Sequence, residues 1–194
     1  MYDAIADPYC YAGTTVLKNI PGIRDQAGLD EFEAVMTAQR SDEPLPAGRL
    51  SIAHYCAIHR HLFQDIYVWA GRFRTVRIGK DGSAFCYPEH VAREMRSVFG
   101  RLARKRFLQG VDRKMFAAEA ASFLSTLNAI HPFREGNGRT QTTFLVLLAH
   151  RAGYPLDLDR LEAQAVLGAM VASFKGDERL LVRQLLLLTG PGMN

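Results

Sequence analysis

The chain has 194 residues, 48% of them hydrophobic, and a formal net charge of +4. That is room for one domain with a full core, and the ordinary globular composition means that the chain need not be disordered. The charge gathers only at Arg101-Leu-Ala-Arg104-Lys105-Arg106, which reads as a solvated helix end without any accompanying nucleic-acid motif, so a nucleic-acid-binding module is set aside.

In chain order, the N-terminal residues lack a basic segment followed by an apolar stretch, so no secretory signal is expected. The three cysteines, Cys10, Cys56 and Cys86, form no CxxC pair. They argue against a zinc site or a disulfide framework and for reduced thiols in the cytoplasm. A first helix is predicted over about 28–40, ending at the polar loop Ser41-Asp-Glu-Pro-Leu-Pro. A second is predicted over about 48–65, where Ile52, Cys56, His59 and Phe63 recur on one face.

Trp69-Ala-Gly71 breaks the helical pattern. Phe73-Arg-Thr-Val76-Arg-Ile78 then alternates apolar and polar residues as a strand does. Gly79-Lys80-Asp81-Gly82-Ser83 carries the Asp-Gly turn signal, and Ala84-Phe85-Cys86-Tyr87 returns as a second strand. The prediction is a lone hairpin over about 73–87, which must lean on helices because an isolated hairpin is marginal. Pro88-Glu89 opens a helix over about 88–107. The next spans about 112–130, with Phe116, Ala120, Phe123, Leu124 and Leu127 on its buried face. One over about 137–152 is apolar nearly all round through Phe144-Leu-Val-Leu-Leu148 and is predicted to be the central element. The apolar run Phe144 to Ala149 is far too short to span a bilayer. Asp157-Leu-Asp-Arg and Lys175-Gly-Asp-Glu introduce two closing helices. With no repeat, linker or low-complexity tract, residues 1–194 read as a single, mainly α domain.

Chemistry concentrates in residues 131–139, His-Pro-Phe-Arg-Glu-Gly-Asn-Gly-Arg. Pro132 forces His131 out of the helical region, so the preceding helix ends near Ile130. Gly136-Asn137-Gly138 opens the next helix, where free N–H groups favour an anion and glycines let a ligand approach the backbone. Arg139 adds a cation in the first turn. His131 is a proton acceptor near neutral pH, and Glu135 is a carboxylate able to hold Mg²⁺. Each of these taken alone is more often a helix-end histidine, a plain turn or a solvated charge. Their joint order is the parts list for transfer from a nucleotide.

That order resembles the signature of the Fic (Fic/Doc) family, H-x-F-x-[D/E]-G-N-G-R-x-x-R, at every position up to the last. Asp7-Pro-Tyr-Cys-Tyr-Ala-Gly, the segment from His59 through Trp69 to Arg72, and the hairpin from Lys80 to Phe85 are also similar to Fic segments. The resemblance implies a helical bundle with a core at about 48–152 and a β-hairpin flap beside the active site. It implies a protein adenylyltransferase that moves AMP from ATP to a Ser, Thr or Tyr hydroxyl of a target protein. His131 would deprotonate that hydroxyl, and Phe133 would anchor the loop. Glu135 would bind Mg²⁺ between the α- and β-phosphates. Asn137 and the Gly136–Gly138 backbone would hold those phosphates, and Arg139 would contact the β-phosphate. Flap residues Arg77, Ile78, Gly79, Lys80, Asp81, Gly82, Ser83 and Phe85 would register the target by strand-like backbone pairing.

Thr142 departs from the signature, standing where it ends in a second arginine that reaches the γ-phosphate. Losing such a charge-assisted contact costs roughly 1.5–3 kcal/mol, about ten- to a hundredfold. The Doc branch, which transfers the γ-phosphate, carries a lysine at the position of Gly138, so AMP transfer stays the first reading. A catalytically weakened nucleotide- or antitoxin-binding protein and a Doc-like protein kinase are the alternatives. The inhibitory helix motif [S/T]-x-x-x-E-[G/N] is missing from this sequence. The resemblance is therefore to the class inhibited by a separate small antitoxin with a glutamate helix, the toxin half of a toxin–antitoxin pair. Type II topoisomerase subunits are the targets implied for that branch.

Overall fold

A computed structural model describes residues 7–80 and 83–190. It is mainly helical, as predicted, with seven α-helices and one two-stranded antiparallel sheet among the described residues. They are α1 (Gln26–Ser41), α2 (Ile52–Phe63), β1 (Gly79–Lys80), β2 (Ser83–Ala84), α3 (Pro88–Arg104), α4 (Arg113–Ile130), α5 (Asn137–Ala152), α6 (Ala163–Phe174) and α7 (Arg179–Leu188). No helix among the described residues is long and apolar enough to cross a membrane. The chain divides into two compact units, one running to Ala92 and including His131–Thr140, the other formed by Arg93–Ile130 and the residues from Gln141 on.

In the first unit, α1 is capped by Asp25, whose carboxylate accepts from the Gly28 N–H at 2.7 Å. α2 begins at Ile52 rather than near 48. Leu50 takes a positive φ of 55° and Ser51 caps the helix by accepting from His54 N at 3.2 Å. α1 is held to α2 by His61, whose Nε2 meets the Arg40 carbonyl at 2.7 Å, and to the turn just after α2 by Arg40, which forms two bonds to Asp65 at 2.6 and 2.8 Å.

The hairpin is shorter than its sequence pattern. Gly79 pairs with Ala84 and Lys80 with Ser83, and one further backbone bond runs from Phe85 N to the Ile78 carbonyl at 3.2 Å. Phe73–Ile78 is not a strand. Its alternation instead turns Arg74 inward, 2% exposed, to serve the loop described below. Asp81 and Gly82, predicted at the turn, lie outside the described residues.

In the second unit, the predicted face of α4 is buried throughout, Phe116, Ala120, Phe123, Leu124 and Leu127 included. α4 packs on α6 and α7. Phe99, Phe123 and Phe144 form a mutual cluster with ring centroids 5.4–5.7 Å apart. α3 ends at Arg104, three residues short of its predicted limit, because Arg106, Phe107 and Leu108 adopt positive φ in a separate 3₁₀ turn. Within the basic run, Lys105 pairs with Glu119 and Arg101 donates to Ser97 Oγ at 2.9 Å. α5 buries Phe144, Leu145, Leu148 and Ala149, but it is not enclosed all round. Gly138, Thr142 and His150 keep one edge of it exposed.

Candidate active site

Residues 131–139 bridge α4 and α5, and the first half of this loop is fixed from every side. His131 leaves α4 with φ of 47°. That is the left-handed rather than the extended conformation expected of a residue before proline, though the helix ends at Ile130 as predicted. The Arg74 backbone N–H donates to the Pro132 carbonyl at 2.9 Å, and Arg74 Nε donates to the His131 carbonyl at 2.7 Å. Phe133 is wholly buried, its ring 3.8 Å from His59 and 5.5 Å from Tyr55. Arg134, 3% exposed, is paired at 2.8 Å with Asp7, 4% exposed. The Asp7-Pro-Tyr segment thus reaches the loop through a buried ion pair, whose loss on one side would strand a charge.

The second half turns outward. His59 sets the turn from below. The Gly71 N–H donates to its Nδ1 at 2.8 Å, so the ring proton sits on Nε2, which donates to the Glu135 carbonyl at 3.0 Å. Burial holds His59 neutral by lowering its pKa to about 4. Gly136 has φ of 78°, and a Cβ there would lie 2.3 Å from the Phe63 ring, so only glycine fits. The Asn137 side chain closes the loop on itself, accepting from Phe133 N and donating to the Phe133 carbonyl, each at 2.9 Å. Asn137 is 2% exposed, so its amide is spent inside the loop and only its backbone is left for a ligand. Gly138 is exposed, and a Cβ there would meet nothing within 4 Å. The N-terminus of α5 is therefore open where an anion would approach.

Glu135 and Arg139 flank that opening, their side chains 37% and 38% exposed and 3.9 Å apart at closest. One Glu135 oxygen accepts from the Gly136 N–H at 2.9 Å. Partial removal of its carboxylate from water raises the Glu135 pKa, with the Gly136 bond pulling the other way and the nearby Glu33 carboxylate adding to the rise. A divalent cation would relieve that charge. One carboxylate plus substrate phosphates is an ordinary Mg²⁺ donor set, so Glu135 fits the ion. Among the described residues no group of three or more His, Cys, Asp or Glu side chains could hold a metal unaided.

Arg139 lies over the Phe63 ring at 4.8 Å, pairs with Glu33 of α1, and donates to Thr37 Oγ1 at 3.3 Å. Thr142 is exposed on α5, three residues beyond Arg139.

The flap meets the loop at its base. Phe85 stacks on the His131 ring with centroids 3.9 Å apart and planes 14° apart. Arg74 also donates to the carbonyls of Val76 at 2.6 Å and Cys86 at 2.5 Å, clamping the two flap arms to the histidine. Ile78 is buried, whereas Arg77 is exposed and lies over Tyr87 at 4.1 Å. Gly79, Lys80, Ser83 and Ala84 form the short ladder.

The family model described as Fic/DOC matches residues 49–149, more than half of the chain. The chain belongs to the Fic/DOC family. Among curated proteins it is 52% identical over 177 residues to the probable protein adenylyltransferase y4lH of Sinorhizobium fredii, covering 91% of this chain and 92% of that one. It is 39% identical over 183 residues to the protein adenylyltransferase VbhT of Bartonella schoenbuchensis, covering 93% of this chain but only 38% of VbhT. Among solved structures, BepC of Bartonella tribocorum with bound AMPPNP superimposes with a TM-score of 0.83 at 26% identity, covering 96% of this chain and 98% of that one. This Fic chain is a nucleotidyltransferase enzyme.

Sequence reasoning missed Arg74, Glu33 and Thr37 as parts of the Fic site, and read His59 only as a helix-face residue. The signals were faint. Arg74 sat in an alternating stretch that accounts for itself as a strand, and Glu33 and Thr37 stand a hundred residues from the motif.

Proposed function

We propose that this Fic protein transfers AMP from ATP to a Ser, Thr or Tyr hydroxyl of a target protein, with residues 1–194 acting as one Fic domain. The observation that carries the reading is the loop 131–139. One end is pinned around His131, and the other opens onto the N-terminus of α5 between Glu135 and Arg139. His131 accepts the proton of the target hydroxyl, whose oxygen attacks the α-phosphorus. The bond from that phosphorus to the bridging oxygen of the β-phosphate breaks, and pyrophosphate leaves.

Backbone N–H groups from Gly136 to Gly138 and the Arg139 guanidinium hold the α- and β-phosphates. Asn137 contributes by shaping the loop rather than through its amide. Glu135 holds Mg²⁺, which when bound would neutralise phosphate charge. Phe133 anchors the loop. The flap residues Arg77, Ile78, Gly79, Lys80, Asp81, Gly82, Ser83 and Phe85 are the segment that would register the target by backbone pairing. The relatives' names support AMP over phosphate transfer, and so does Gly138 in place of the Doc lysine.

Further parts of the reading rest on family resemblance. The protein acts in the cytoplasm as the toxin of a toxin–antitoxin pair, restrained by a small antitoxin carrying a glutamate helix. Its targets include type II topoisomerase subunits. Thr142 favours a second reading beside the first, in which transfer is weak and nucleotide binding outlasts it.

The test is incubation of the purified protein with a bacterial lysate and ATP labelled at either the α- or the γ-phosphate. Label from the α-phosphate should appear on protein and disappear with a chelator. Transfer of γ-label alone would make the protein a kinase, and binding without transfer would make it a nucleotide-binding relative.

A further inference from the structure

Helix α1 lies outside the residues that match the family model, which begin at 49, yet it grips the motif's own cation. Glu33 and Thr37 stand four apart on α1 and therefore share a face. Glu33 Oε1 accepts from Arg139 Nη2, and Thr37 Oγ1 accepts from Arg139 Nη1 at 3.3 Å. The grip is itself supported. The hydroxyl of Tyr67, 2% exposed, donates to the other Glu33 oxygen at 2.5 Å. Thr37 Oγ1 donates back to the Glu33 carbonyl at 2.7 Å. The Phe63 ring fixes the plane of the guanidinium from beneath.

An arginine on a flexible stem loses side-chain entropy when it grips a phosphate, and less of that loss falls on binding if its orientation is already set. Glu33 is 12% exposed and Arg139 38%. The carboxylate thus sits on the inner side of the guanidinium and leaves part of the cation accessible.

We propose that Glu33, assisted by Thr37, is a positioning residue for nucleotide binding, which holds Arg139 in the orientation that receives a nucleotide phosphate. This rests on the reading of the loop as a nucleotide site. The alternative physical outcome is competition, in which the carboxylate and the phosphate contend for one cation. The burial of Glu33 and its bond from Tyr67 favour positioning, because Glu33 is committed to its place whether or not a phosphate is bound.

The experiment is direct binding of ATP with Mg²⁺, measured by calorimetry on the whole chain, for the unchanged protein and for Glu33→Gln, Glu33→Ala and Thr37→Val. Each is made alone and with Arg139→Ala, and every variant's melting curve is recorded. Glu33→Ala should weaken ATP binding about tenfold, the loss of an oriented charge-assisted contact. Glu33→Gln, which keeps an oxygen for Arg139 and an amide to donate to Tyr67, should recover most of that loss. Thr37→Val should weaken binding about two- to threefold.

In the Arg139→Ala background neither Glu33 nor Thr37 should matter, because they act only through the guanidinium. A structural role would lower the melting temperature while leaving the effects additive, and that result would overturn the proposal. Tighter binding by Glu33→Gln would establish competition instead. Should Glu33→Ala fail to fold, Thr37→Val and its cycle with Arg139 decide the matter. Absence of ATP binding by the unchanged protein would remove the nucleotide site itself and this proposal with it. Unchanged binding in Glu33→Ala beside a clear loss in Arg139→Ala would remove the positioning role alone.

Discussion

The motif loop and the flap face each other across one histidine, and they are built on opposite principles. In the loop every residue from His131 to Asn137 has a particular neighbour. Arg74 holds the His131 carbonyl, Phe133 is stacked among rings, Arg134 is paired with Asp7, and the Asn137 amide is tied to Phe133. The flap has a two-rung ladder, and Arg77 packs locally on Tyr87. The loop's order comes from particular side-chain contacts, whereas the proposed role of the flap, pairing with a target strand, needs only its backbone. A reacting group must be held within a fraction of an ångström, while a backbone ladder accepts many sequences. The difference predicts that substitutions in the loop will be severe and those in the flap mild, except where the two regions touch.

The largest expected effect lies at the contact itself. His131→Ala should reduce transfer by ~10²–10⁴-fold, the usual loss of a general base, lower the melting temperature modestly through loss of the Phe85 stack, and leave ATP binding nearly unchanged, since the proposed base acts on the target hydroxyl rather than on the nucleotide. Single-turnover transfer and calorimetry on the same preparation measure both quantities. Activity retained by the alanine variant would mean that the loop is ordered for some other purpose.

The two loop glycines offer an internal control of the claim that the loop depends on particular contacts. Gly136→Ala must place a methyl within 2.3 Å of the Phe63 ring at a φ of 78°, so it should destabilise the protein by about 1–3 kcal/mol or more. Gly138→Ala meets nothing, lies in the first turn of α5, and should be neutral or slightly stabilising. Equal melting temperatures for the two variants would contradict the account of the loop as a fixed turn.

Much of this was legible in the sequence because the motif is contiguous. A proline, two glycines and the residues between them dictate a helix end, a turn and a helix start within nine positions. The hairpin was overestimated for a physical reason. Phe73 to Ile78 alternates like a strand, but the alternation serves Arg74, whose guanidinium needs the carbonyls of His131, Val76 and Cys86. Periodicity reports which residues turn inward, not what they meet there. The same limit hid Glu33 and Thr37, whose contact with Arg139 spans more than a hundred residues. Asn137 was singled out as a phosphate-holding residue, but its amide faces the loop interior and bonds Phe133.

Thr142 tests the open side of the loop. Thr142→Arg places a guanidinium one turn beyond Arg139 on an exposed stretch of α5, where arginine is compatible with the helix. If γ-phosphate contact limits the reaction, AMP transfer should rise about ten- to a hundredfold. The gain should be seen with ATP and be smaller in binding of ADP, which has no γ-phosphate. The variant should also become sensitive to an antitoxin that inhibits by presenting a glutamate. A variant no faster than the starting protein would show that something other than this contact limits transfer.

The smallest effects should lie in the flap, and they sharpen the comparison because two residues there are expected to differ. Arg77 is exposed, and its bond to Tyr87 at 2.9 Å and its place over that ring hold it to the flap alone. Arg77→Ala should change transfer by less than about twofold, in keeping with the small worth of exposed contacts. Phe85 is different, since its ring lies 3.9 Å from the His131 ring and nearly parallel to it. Such a stack contributes about 0.5–1.5 kcal/mol beyond burial, so Phe85→Ala should slow transfer by about two- to tenfold. The loss should appear in kcat rather than in the ATP KM, because the ring orients the base and does not reach the phosphates. Phe85→Tyr keeps the aromatic face and should restore most of the rate. Steady-state transfer to one purified target, with ATP and target varied separately, resolves these terms. If Phe85→Ala proved as mild as Arg77→Ala, the stack would be incidental, and the orientation of His131 would not depend on the flap ring.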